Sequence, residues 1–87
     1  MAEKDKVYSK ELLGKTIVSK AGKKFGEVGD LIFEIGSGEL IHIVLRNPTA
    51  YTDRMELEKT KDGMILVPFS SVIATGDFIV LAEEDII

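Results

Sequence analysis

Side chains able to do chemistry near neutral pH are scarce: there is one histidine, His42, and no cysteine. A His/Cys metal site, or a Ser-His or Cys-His nucleophile pair, would therefore need His42 at its centre. That residue sits in the run Leu40-Ile41-His42-Ile43-Val44-Leu45, where its apolar neighbours make it a packed or interface histidine. Glu83-Glu84-Asp85 could attract a divalent cation, but adjacent carboxylates lack the spaced ligands and glycine turn of a calcium loop. They read as a solvated acidic tail. Asp30 interrupts an apolar run with no acid, nucleophile or metal motif beside it, so as a general base it would act alone. Its carboxylate is expected instead to accept backbone N–H groups where Gly29 bends the strand. Gly36-Ser37-Gly38 is no phosphate loop, since neither a helix nor a lysine follows at the required spacing. No catalytic residue, cofactor or metal is expected, and the chain reads as something other than an enzyme.

Charge narrows the partners. The formal net charge is −4, which repels phosphate backbones and makes nucleic acid an unsuitable main partner. Seven of the eleven basic residues, Lys4, Lys6, Lys10, Lys15, Lys20, Lys23 and Lys24, lie in the first 24 positions, and the remainder is strongly acidic. Lysines gathered like this serve as a solvated turn and edge protection, or as a contact patch for an acidic partner. The N-terminus is charged with no apolar run behind it, and the apolar stretches fall far short of the ~20 residues of a membrane helix. A cytoplasmic location is expected.

The elements that must hold these residues are short strands. Tyr8 to Gly14 has the form of one helical turn, with Ser9 as its cap and Gly14 as its left-handed closing residue. Strands are expected from Lys15 to Ser19, from Phe25 to Ile35 with bends at Gly26 and Gly29, and from Glu39 to Arg46 after a Gly36-Ser37-Gly38 turn. Asn47-Pro48 ends that hairpin because proline offers no N–H to the ladder. A second hairpin is expected from the segment Thr49 to Thr60, where Met55 and Leu57 alternate with Glu56 and Glu58, through Asp62-Gly63 into Met64 to Val67. Pro68 to Ser71 is a tight turn, followed by strands Val72 to Ala74 and Phe78 to Leu81 across Gly76-Asp77. The expected fold is all-β: a small six-stranded antiparallel barrel with at most one or two short helical turns, in a single domain spanning 1–87. Residues 1–7 are expected to be flexible and 82–87 to form a C-terminal tail.

Alternation sorts the faces of the main hairpin. Leu31, Phe33 and Ile35 fall on one face with Ile41, Ile43 and Leu45, which makes that face the expected core. Ile32, Leu40, His42 and Val44 fall on the other, which is too apolar for a water-facing side. A domain of this size buries only ~60% of its unfolded surface, and without cysteine no disulfide can supplement the core. A homodimer that covers Ile32, Leu40, His42 and Val44 would supply the missing burial. Ile86 and Ile87 follow the acidic run and either contact another protein or fold back to cover one end of the barrel.

Five pieces in order, Ser9-x-Glu11-Leu12-Leu13-Gly14-Lys15, Gly26-x-Val28-x-Asp30-Leu31-x-Phe33, Gly38-Glu39-Leu40-Ile41, Ile65-Leu66-Val67-Pro68-Phe69-Ser70-Ser71-Val72 and Gly76-Asp77, make the chain resemble the PRC-barrel family over almost its whole length. The family is named for the photosynthetic reaction-centre H subunit, and the same barrel forms the C-terminal part of the ribosome maturation factor RimM. The likeness is greatest to the stand-alone PRC-barrel proteins of archaea. It implies a non-catalytic homodimeric adaptor of cell division, recruited to the division site and acting with the membrane-anchor protein SepF and the division-ring GTPase FtsZ. A ribosome or RNA-maturation accessory in the manner of RimM is the other function it implies, since one fold carries many functions.

Overall fold

The computed structural model describes residues 9–86, and of Ser9 only the backbone. The expectations of a flexible 1–7, of a capping Ser9 side chain and of a role for Ile87 lie outside the described residues.

The described residues begin with a single helical turn, α1 (Ser9–Leu12), that delivers Leu12 into the core. It closes at Gly14, whose φ of 83° is the left-handed conformation that glycine takes without penalty. Six strands follow: β1 (Thr16–Ser19), β2 (Lys24–Phe33), β3 (Leu40–Arg46), β4 (Leu66–Pro68), β5 (Val72–Thr75) and β6 (Phe78–Leu81). They form one sheet in the order β4-β3-β2-β1-β6-β5. Every adjacent pair is antiparallel except β1 with β6, which run parallel with Thr16 opposite Phe78 and Ser19 opposite Leu81.

The expected antiparallel barrel is therefore corrected to a mixed, open sheet, in which no ladder joins β4 to β5. The reason is topological. Hairpins alone yield antiparallel neighbours, but β6 returns to the first strand only after the chain has crossed from one sheet edge to the other, and it arrives in the same direction as β1. The crossing is short: a 3₁₀ turn, Phe69–Ser71, links the two edge strands directly. The buried Ser71 hydroxyl donates to the Pro68 carbonyl at 2.6 Å, and the Ser71 carbonyl accepts from the Ala82 N–H at 2.8 Å. The sheet curls so that its edges meet at this turn.

Inside the curl lie Leu12, Ile17, Phe25, Val28, Ile43, Leu45, Val67, Ile79 and Leu81, all essentially without solvent exposure. Two irregularities in the β2–β3 ladder decide what joins them. Val28 faces Leu45, but after Gly29 it is Asp30 that faces Val44; Ile32 faces His42, and then Phe33 faces Leu40. Each slip turns the following side chains over relative to simple alternation. Leu31, Ile43 and Leu45 keep the expected core side. Phe33 does not: it is 43 % exposed, Ile35 is wholly exposed and Ile41 is also exposed, while Leu40, expected outside, packs partly against the core.

The second hairpin is likewise reduced. Between Asn47-Pro48 and β4 the chain makes a helical turn, α2 (Ala50–Asp53), capped by the Thr49 hydroxyl on the Thr52 N–H at 3.4 Å. The buried Thr52 hydroxyl donates to the Phe25 carbonyl at 2.6 Å, which ties this turn to β2. Threonines placed to cap the turn and to reach the Phe25 carbonyl, which also accepts the Thr49 N–H at 3.1 Å, outcompete the strand here. Only one bridge, Lys59 with Ile65, remains of the expected ladder, although Leu57 is buried and alternates with exposed Glu56 and Glu58 as expected.

Candidate interaction surface

The β2 bulge exists because of what stands beside Gly29. A Cβ at that position would lie 2.9 Å from the Arg46 Cβ and 3.3 Å from the Val44 carbonyl oxygen, so only glycine lets the two strands approach this closely. The outer surface of the bulge is an open groove of about 450 Å³, lined by Gly29, Asp30, Ile32, Val44, Arg46, Thr60, Asp62 and Met64. Its floor is apolar, from Ile32, Val44 and Met64, and carboxylates of Asp30 and Asp62 stand at its margin.

Local hydrogen bonds set the electrostatics. Asp30 accepts the Leu31 N–H at 2.8 Å, the structural duty expected of it beside the bend. Arg46 is engaged by Glu27, whose Oε1 accepts from Nε at 3.3 Å and Nη2 at 3.2 Å, with Asn47 Nδ2 adding a third donor at 3.3 Å. His42 lies next along β3, partly buried, with its Nε2 3.4 Å from Glu58 Oε1.

Of the expected interface residues, Ile32 and Val44 come together in the groove and His42 stands beside them, while Leu40 turns toward the core. Ile86 lies elsewhere: it is half-buried against the core, its N–H bonded to the Glu83 carbonyl at 3.1 Å. Sequence reasoning missed Met64, Thr60 and Asp62, because a groove wall made by a loop has no periodicity. The one available signal was Met64, a large apolar residue directly after the Asp62-Gly63 turn. It also missed the hairpin tip, where Phe33, Ile35 and Ile41 are exposed beside Glu34 and Glu39.

The acidic tail is held to the body. A 3₁₀ turn, Glu83–Asp85, follows β6, and Glu84 bonds Lys20 at 2.6 Å while Glu83 accepts the Tyr51 hydroxyl. That bond with Lys20 lowers the Glu84 pKa and raises that of Lys20, and the bond to Glu83 raises the pKa of Tyr51. Lys23 stands 5.9 Å from the Tyr51 ring centre and Lys15 donates to the Gly76 carbonyl, so several of the clustered lysines have partners within the chain. Among the described residues no three His, Asp or Glu side chains gather in a way that could hold a metal ion, and no helix is long and apolar enough to cross a membrane.

A curled six-stranded sheet filled by its own side chains, with an apolar groove on its outside, defines a small β-sheet domain. The chain belongs to the PRC-barrel domain family, whose sequence profile matches residues 4–85. Comparison with curated proteins returns no match.

Proposed function

We propose that this chain is a non-catalytic, homodimeric adaptor that joins other proteins, acting in archaeal FtsZ-based cell division through SepF. The observation that carries this reading is the outer groove beside β2 and β3, lined by apolar Ile32, Val44 and Met64, by the carboxylates of Asp30 and Asp62, and by Arg46, which Glu27 engages. Apolar contact supplies affinity there, and the carboxylates select a partner segment bearing lysine or arginine. The division role itself comes from the likeness to stand-alone archaeal members of the family.

Titration of the full chain into purified SepF tests it. Saturable binding that Met64→Glu abolishes, in a variant with unchanged circular dichroism, supports the adaptor. Absence of SepF binding together with co-sedimentation on ribosomal particles moves the protein to a RimM-like accessory role.

A further inference from the structure

We infer that the second copy docks on the outer face of β1, β6 and β5, along the free edge of β5, rather than on the groove face. This rests on the homodimer reading above and names its seam.

Two faces expose large apolar side chains, and charge separates them. The groove and adjoining hairpin tip carry Asp30, Glu34, Glu39, Glu58 and Asp62, while Arg46 is engaged by Glu27. A two-fold axis through that face would set one copy's carboxylates against the other's, because an isologous interface pairs a patch with itself. The outward positions of β1, β6 and β5 carry no such carboxylates, and on β2 beside them Glu27, opposite Thr16, is engaged by Arg46 while Lys24 stands opposite Val18. Buried Ile17, Ile79 and Leu81 leave Thr16 and Val18 of β1 and Phe78 and Val80 of β6 pointing outward in register, with Ala74 opposite Val80 on β5. None of these is charged. Phe78 is 54 % exposed, and Ile73, at the irregularity of β5, is 53 % exposed.

The sheet edges differ in the same sense. β4 is flanked by the Lys59–Ile65 bridge and the bond from Leu66 N–H to the Glu58 carbonyl at 2.8 Å, and it ends at Pro68. β5 is the sequence Val-Ile-Ala-Thr, with no lysine or proline of its own. Among the described residues no other backbone segment pairs with its outer edge. An unguarded edge is a template for a strand of another chain. Antiparallel pairing of two β5 strands would extend the sheet across the two-fold axis, and the uncharged band beside it would add the apolar burial that so short a strand cannot supply alone.

Sedimentation of the full chain at graded concentration tests the seam with three variants at exposed positions: Phe78→Glu, Ile73→Lys and Ile35→Glu. The expected result is a wild-type dimer, roughly tenfold or greater weakening in the first two, and an unchanged dimer in Ile35→Glu. Dissociation by Ile35→Glu with the first two intact would overturn the seam while keeping the dimer. A monomeric wild type would overturn the dimer reading itself. Should a variant misfold, amide exchange on the wild-type protein decides: protection of Ile73 to Thr75 that falls on dilution supports the seam, and protection independent of concentration overturns it.

Discussion

Gly29 and Phe33 show how much a single position on β2 decides. Placing a methyl group at Gly29 drives it against the Arg46 Cβ at 2.9 Å, and since the neighbour is the base of a side chain on a paired strand, little can give. Gly29→Ala should cost ~1–3 kcal/mol in a denaturant titration, and an unshifted midpoint would show that the strands separate freely. Phe33 is the opposite case. Because it is 43 % exposed at the end of β2, Phe33→Ala should lose less than about 1 kcal/mol, where a buried phenylalanine costs ~3–5 kcal/mol. The contrast is Ile79→Ala, a residue with no exposure in the centre of the curl, expected to lose ~2–5 kcal/mol by the same measurement.

At the scale of elements, the C-terminal 3₁₀ turn is a latch with a pH dependence. The hydrogen bond from Lys20 holds the Glu84 pKa below the ordinary carboxylate range. Its stabilising share is therefore present above the unfolded carboxyl pKa and is lost as pH falls through the lowered value. Lys20 is raised by the same bond, so its share is complete below the ordinary lysine range and vanishes as pH rises through the raised value. Both side chains are more than half exposed, and water and salt screen the pair. The effect is thus expected as local opening rather than unfolding: amide protection at Asp85 and Ile86, the intrinsic exchange rate at each pH divided by the observed rate, falls below the carboxylate range and again above the lysine range, and stays high between. Equal protection across all three ranges would show that packing of Ile86 alone holds the turn. Ile86→Ala should then cost up to ~1.5 kcal/mol, since the side chain is only partly buried.

For the whole molecule, oligomeric state and charge make the predictions. If folding and dimerisation are coupled, the thermal midpoint rises with protein concentration by mass action, and a midpoint constant across a hundredfold range of concentration, roughly, would exclude that coupling. A partner drawn by the carboxylates around the groove should bind more weakly as salt rises, because exposed charges are screened within ~10 Å at 0.1 M. Salt-independent binding would assign the affinity to Ile32, Val44 and Met64 alone.

Much of this was legible in local residue patterns. Gly14 and Asn47-Pro48 mark ends of elements, Gly36-Ser37-Gly38 reverses the chain, and the runs around them are strands, because turn chemistry and alternation act within a few residues. Asp30 beside Gly29 announced its backbone hydrogen bond for the same reason. Ile32 and Val44 were found on one outer face because both lie between the two slips of the ladder. Phe33 and Leu40 were misplaced because they lie beyond the second slip, where pairing geometry between strands, invisible in either strand alone, resets the phase. The parallel contact of β6 with β1 depends on positions some sixty residues apart, and so do the bonds of Lys15 to Gly76 and Lys20 to Glu84. Only the curl of the sheet brings these together, since long-range contacts follow from how the core is enclosed and not from any local preference of the chain.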